Sequence, residues 1–394
     1  MNNQNNKIFI KKLFFTFFII AILRFLNFIP IPYVEQQNLI NLLNSNSSLK
    51  IFFNQKNIIL SIFTLGIIPN LNASFFMQYL ISSSSFFKKL QTEEGKNGRE
   101  KIKKFTRYLT LIFALLQSFP LVFALKPILF TWNKDICFEL ILLFSTGSMI
   151  VVWLSDLITE IGILNGSSTV LVLNIIGTLP NILPHFNQFG FNFISLFEFL
   201  PFLAFILAII YTQETTKKIP LITINQLYKE NKKFRVRTSQ FSYIPFKLTH
   251  GSVMPILFAS TFSSFLTFIL NKFFNSININ FLPLSSFFCS ILTFIGIIFC
   301  NQFYAKLIIN PTEISKELEK MGATIKNIRP GKNTTIYLKK VLNRSSLIGG
   351  IALAILYFFS QNNQLYTSGF NITSFIILIG IMAELSRKIN DRNL

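Results

Sequence analysis

Apolar residues recur along the chain in blocks of helical length, separated by polar and basic segments. The blocks fall near residues 8–29, 58–81, 106–126, 137–155, 167–184, 194–213, 252–271, 284–306, 344–360 and 370–386. Each approaches the roughly 17–25 residues that an α-helix needs to cross a bilayer. The pattern therefore predicts ten membrane-spanning helices. One block is unusual. LGIIPNLNASFFMQYL, residues 65–80, carries Gly66, Pro69, Asn70, Asn72, Ser74 and Gln78, which a purely lipid-facing helix would avoid. Such residues suit faces that meet protein or water.

Composition supports a membrane class. Of 394 residues, 51% are hydrophobic and 13% charged. A soluble chain carries about twice that charged fraction. The amino-terminal run KIFIKKLFFTFFIIAILRFLNFIPIP has lysines before an apolar stretch but no small-residue cleavage site, so it reads as a retained first span.

Charge distribution then fixes orientation. With a cytoplasmic amino terminus, the inner segments hold 31 of the 37 Lys and Arg residues, including eight in 88–107, eight in 217–247 and nine in 306–344. That asymmetry predicts both termini inside, and it accounts for most of the net charge of +21. Ten spans divide into two sets of five. Because five is odd, equal halves would be inverted copies related by an axis in the membrane plane. The segment Val34–Asn57 reads either as a solvated outer loop or as a re-entrant segment folding back into a cavity.

Candidate chemistry is sparse. Cys137, Cys289 and Cys300 lie apart in apolar surroundings, and His185 and His250 have no ligand at metal spacing. No metalloprotease, nucleophile-elbow or phosphate-loop motif occurs. No enzyme, metal or cofactor is expected. Asp156 and Glu160, four residues apart, read as solvated acids without a basic partner.

Several segments converge on one family. LGIIPNLNASFFMQYL is similar to the second span of the SecY family of protein translocase channels. EEGKNGREKIKKFTRYLTLIFALLQS resembles that family's approach to its third span. WLSDLITEIGILNGSS is close to the pattern W-G--IT--GIGNG-S, with GILNG at Gly162–Gly166 where the family has GIGNG. KKIPLITINQLYKENKKFRVRTSQFSYIPFKLTHGSVMPILFAS looks like the fourth cytoplasmic loop and seventh span, although Thr249-His250-Gly251-Ser252 replaces the usual Asn-x-Ala-Gly. FYAKLIINPTEISKELEKMGATIKNIRPGKNTTIYLKKVLNR resembles the fifth cytoplasmic loop.

The SecY/Sec61-alpha resemblance implies an all-α polytopic membrane protein, its ten transmembrane helices arranged as two inverted five-helix halves, 1–190 and 191–394, around a central pore. It implies a plug-like segment at about 34–57 and large cytoplasmic loops at about 214–250 and 307–343. A constricting ring is implied at Leu71, Phe75, Leu171, Ile175, Leu257 and Ile376, with Phe75 standing where smaller residues are common. Aliphatic rings dewet when empty and deform around a passing chain. The second and seventh spans would form a lateral gate. Gln78 and Gln117 are placed either to hydrogen-bond across it or to serve as plain helix–helix contacts.

For docking, the resemblance implicates Lys232, Lys233, Arg235 and Arg237, and Arg329, Gly331 and Lys332 in IRPGK. Topological charge alone competes as the reason for the first cluster. Implied partners are a SecE-type small subunit, a SecG-type subunit, a SecA-type motor ATPase, the ribosome, preproteins with signal sequences, and membrane lipid, with no direct DNA binding. A secondary solute transporter is the alternative, disfavoured because the span interiors lack a charged coupling site. Lys outnumbers Arg 28 to 9 and Phe reaches 48, a bias that fits an AT-rich genome. A plastid-encoded protein of the thylakoid membrane is expected, with the inner membrane of a bacterium as the alternative.

Overall fold

The computed structural model describes residues 2–34, 61–130, 132–162, 165–176, 193–223, 243–249, 254–276, 282–325, 327–362 and 376–382. Most of the proposed plug-like segment, and Lys232, Lys233, Arg235 and Arg237, lie outside the described residues.

The chain is mostly helical. Its helices are α1 (Asn2–Leu26), α2 (Ile68–Ser83), α3 (Ser85–Thr92), α4 (Gly95–Ala124), α5 (Lys134–Ile161), α6 (Gly166–Ile176), α7 (Phe193–Glu214), α8 (Met254–Ser276), α9 (Leu282–Ile308), α10 (Pro311–Lys320) and α11 (Lys332–Asn362). A further helical segment covers 376–382. A helix lies in each of the ten apolar windows. Among the described residues, α4, α5, α9 and α11 are long and apolar enough to cross a membrane by length and composition alone.

Local chemistry sets the ends of α2. Gly66 adopts φ +53°, a left-handed turn that its missing side chain permits, and its N–H closes onto the Phe63 carbonyl at 2.9 Å. Pro69 then sits in the first helical turn, where its missing N–H costs nothing. At the far end Ser84 is extended, which separates α2 from the short helix α3. Gly95, at φ +54°, turns the chain into α4.

Among the described residues, packing forms four apolar clusters. One joins the end of α4 to the start of α5 through Leu121, Val122, Leu125, Leu140 and Phe144. A central one gathers Ile19 and Leu23 of α1, Leu71 of α2, Val151, Val152 and Ile158 of α5, Val170 of α6, Leu257 of α8 and Ile381. A third packs α7, α8, α9 and α11 with Ile376. Arg24 of α1 reaches across to donate to the backbone carbonyl of Leu173 on α6, so this charge satisfies a helix carbonyl within the bundle.

The fourth cluster corrects the all-α expectation. Strands β1 (Thr216–Thr223), β2 (Tyr243–Lys247) and β3 (Ala323–Ile325) form an antiparallel sheet in the order β2-β1-β3. Ile219 pairs with Ile244, and Leu221 pairs with Ile325. Ile219, Leu221 and Phe246 turn inward onto Leu318, Leu338 and Leu342. The two long loops read separately in the sequence thus share one small platform with its own core. The strands are short and interrupted by Pro220 and Pro245, which hides their period-two pattern among the surrounding lysines.

Candidate functional site

Three helices carry the central residues. Leu71 of α2, Val170 of α6 and Leu257 of α8 belong to the same buried cluster, and Leu171 packs against it. The next residue around α8, Ile256, belongs to the neighbouring cluster with Ile376. The segment 376–382 touches both, because Ile377 and Ile381 pack centrally while Ile376 does not. Ile376 is held in place through its backbone, whose carbonyl accepts a hydrogen bond from Gln213 Nε2 at 3.1 Å. Ile175, one turn beyond Leu171 on α6, is buried. The structure therefore draws Leu71, Leu171 and Leu257 together, with Ile175 buried one turn further along α6 and Ile376 buried on the neighbouring segment.

Close backbone approach makes this possible. A Cβ at Gly166 would lie 1.8 Å from the Ser155 carbonyl oxygen, so only glycine lets the start of α6 rest on α5. The Gly166 N–H also donates to Thr159 Oγ1 at 3.0 Å.

Phe75 occupies a different environment from Leu71. Its ring centroid is 4.6 Å from that of Phe258 on α8, and 5.5 Å from that of Tyr304 on α9 in a near-parallel stack. Phe303 stands 6.3 Å away. The residue that departed from the usual pattern is thus lodged in an aromatic group shared by three helices.

Two asparagines of α2 face neighbouring helices. Asn72 is buried and donates from Nδ2 to Thr261 Oγ1 on α8 at 3.2 Å. Asn70 accepts at Oδ1 from Thr110 Oγ1 on α4, also at 3.2 Å. Gln78 is exposed and Gln117 is half-buried. Of the polar residues on α2, Asn72 rather than Gln78 makes the link to α8. Its signal in the sequence was phase: Asn72, Phe75 and Tyr79 share one helical stripe by their spacing of three and four residues.

The expectation that Asp156 and Glu160 lack basic partners is overturned. Arg107 Nη2 lies 2.6 Å from Asp156 Oδ2, and Lys103 Nζ lies 2.8 Å from Glu160 Oε1 and 3.6 Å from Asp156. The partners are some fifty residues away in the chain, on α4, so local spacing could not reveal them. These exposed pairs register the ends of α4 and α5 more than they stabilise them.

On the platform, Arg329 is exposed between β3 and α11. The turn beneath it is well braced. Gly331 has φ +97°, and its carbonyl accepts from Ser315 Oγ at 3.1 Å and from the Thr335 N–H at 3.3 Å. Ser315 and Thr334 share a further hydrogen bond of 2.6 Å. The first turn of α11 contains Lys332 and no acid of its own, and the Glu319 side chain lies beside Gly331 just ahead of it, where a carboxylate favours the positive end of the helix. The tip presents the exposed Arg329 and Lys332 on this braced turn.

Comparison with known proteins bears on this arrangement. A family profile described as SecY matches residues 61–386. The protein translocase subunit SecY of Guillardia theta is 34% identical over 402 residues, covering 96% of this chain and 93% of that one. The SecY of Pyropia yezoensis is 38% identical over 401 residues, covering 96% and 94%. The SecY of a Synechocystis strain is 35% identical over 405 residues, covering 96% and 90%. Among solved structures, one described as a protein conducting channel matches with a TM-score of 0.63 at 14% identity, covering 96% of this chain and 91% of that one. Sec61 in a canine ribosome-channel complex matches with a TM-score of 0.59 at 14% identity over the same shares.

Proposed function

The chain belongs to the SecY family and is a protein-conducting channel subunit of the Sec translocase, a membrane channel rather than an enzyme; from that premise we propose how its residues do the work. The helices form ten spans in two inverted halves, 1–190 and 191–394, with a polypeptide path between them. Leu71, Leu171, Ile175, Leu257 and Ile376 make the constriction of that path, with Phe75 at its margin. The observation that carries this reading is the convergence of Leu71, Leu257 and Leu171, from α2, α8 and α6, on one apolar cluster. A wall of aliphatic groups offers no fixed hydrogen-bond partners to a passing chain and excludes water when closed.

The seam between α2 and α8 is the lateral gate, with Gln78 and Gln117 flanking it and the Asn72–Thr261 hydrogen bond crossing it. Interhelical hydrogen bonds in membranes average about 0.6 kcal/mol, weak enough for an entering helix to displace. Residues 34–57 serve as the plug. Membrane segments leave through the gate according to their apolar content, each central Leu contributing about 0.5 kcal/mol in favour and each Lys or Arg roughly 3 kcal/mol against.

The platform is the docking surface for an energy source. Arg329, Gly331 and Lys332, with Lys232, Lys233, Arg235 and Arg237, receive a SecA-type motor or a ribosome, and a SecE-type and a SecG-type subunit complete the complex. The thylakoid membrane is the proposed location, supported by relatives from plastids and cyanobacteria. The test is reconstitution of the chain with such small subunits and a motor ATPase in proteoliposomes. ATP-dependent protection of a signal-bearing preprotein from external protease is expected. No protection of the preprotein, with the folded channel present in the membrane, would contradict the proposed path.

A further inference from the structure

The α2 seam holds more than the gate reading uses. Its contacts form a ladder. Asn72 of α2 meets Thr261 of α8, and one turn on, Phe75 meets Phe258, so the numbers rise on α2 as they fall on α8. Phe75 also stacks on Tyr304 of α9, with their ring planes 9° apart. A further turn along α2, Tyr79 lies 5.2 Å from Phe303. Phe303 in turn stacks with Phe299 at 6.1 Å. Beyond the end of α2, Lys88 pairs with Glu313 of α10 at 2.6 Å, joining the same two edges of the seam.

The rungs differ in kind. Lys88 and Glu313 are about half exposed, at 48% and 53%, so solvent screens that pair. The Asn72–Thr261 bond is a single neutral contact of the kind that is weak between membrane helices. Between them lies a block of stacked and tilted rings, in which Phe75 and Tyr304 are buried while Phe299 and Tyr79 reach the surface. Large ring faces in contact are the strongest of the three closures, through dispersion and quadrupole geometry.

We propose that Phe75, Tyr79, Phe258, Phe303 and Tyr304 form an aromatic latch that closes the seam and selects client segments by side-chain size as well as hydropathy. The proposal rests on the seam being the lateral gate. Parting α2 from α9 strips the faces of Phe75 and Tyr304 of their partners. An entering helix restores those contacts only if it presents large apolar groups, Leu, Phe or Met, along one face at three- and four-residue spacing. An alanine-rich helix of the same total hydropathy leaves voids against the rings. The client class that opens this channel is therefore segments rich in large side chains.

The test uses the full chain in its reconstituted complex and two preproteins differing only in the signal core, one Leu-rich and one a longer Ala-rich core of matched hydropathy. The Leu-rich client is expected to cross about tenfold faster, a discrimination typical of small differences in apolar fit. Phe75→Leu and Tyr79→Leu are each expected to shrink that ratio to about twofold by the same reasoning. A second readout needs no client. In a chain with Cys137, Cys289 and Cys300 changed to Ala, disulfide trapping between Asn72→Cys and Thr261→Cys is expected to slow severalfold when Phe75→Leu is added. Equal rates for the two signals, or an unchanged ratio and trapping rate in the variants, overturn the latch. If Phe75→Leu does not assemble, Tyr79→Leu carries the test, since Tyr79 is 37% exposed and its loss leaves the core intact. The gate reading fails separately if a photocrosslinker in the signal core, in a translocating wild-type complex, meets neither α2 nor α8.

Discussion

Replacing Gly166 by valine is expected to destabilise the channel by about 3 kcal/mol, the upper range of overpacking costs, and to abolish transport. The reason is geometric. A Cβ there would fall 1.8 Å from the Ser155 carbonyl oxygen, 2.6 Å from its carbon and 2.8 Å from its side-chain oxygen. These are mainly backbone atoms, which cannot swing aside as a flexible side chain does. Helix α6 must lift from α5, and Leu171 and Ile175 travel with it, away from Leu71 and Leu257. Even alanine carries the offending carbon, so both variants are expected to fail. The measurement is the midpoint of thermal inactivation in detergent or nanodiscs, falling by about 5 °C, together with preprotein transport. A valine variant with an unchanged midpoint would mean that α5 and α6 are not in this contact.

Reversing charge at Arg329 is expected to have an equally large effect by another route. Arg329→Glu lowers ATPase-driven transport at least thirtyfold, from the roughly 2 kcal/mol or more lost when one partner of a docked charge pair is removed. The channel itself is expected to be made and to melt as wild type does, because Arg329 is exposed and the hydrogen bonds that hold the turn run through Gly331, Ser315 and Thr334. The comparison that checks this is transport against the amount of folded channel in the same membranes. Lowered abundance would make the residue structural. Full transport at wild-type abundance would remove Arg329 from the docking surface.

The physical reach of the sequence explains what was legible in it. Long apolar windows carry their own signal, so helices appear at each of them. In LGIIPNLNASFFMQYL the polar residues suggested faces turned from lipid, and Asn70 and Asn72 do have partners on α4 and α8, whereas Gln78 is exposed. Gly66 and Pro69 do shape the entry to α2. What periodicity could not supply was long-range pairing. Arg107 with Asp156 is a contact between helices, and so is Phe75 with Tyr304. The β1–β3 pairing joins residues about a hundred positions apart, and strands of eight and three residues leave too little alternation to detect. Phe75 shows the limit most plainly. As one letter in a pattern it stands out only as larger than the usual ring residue, and its contacts with Phe258 and Tyr304 appear only in three dimensions.

The central claim is that the polypeptide passes through the aliphatic convergence of α2, α6 and α8. It is tested most directly by stalling a preprotein in the reconstituted complex with a photocrosslinker in its translocating segment. Crosslinks to Leu71, Phe75, Ile175 and Leu257 are the result expected. Crosslinks confined to outward-facing residues such as Phe14, Phe17 and Phe138, which are 73%, 68% and 64% exposed, would contradict it.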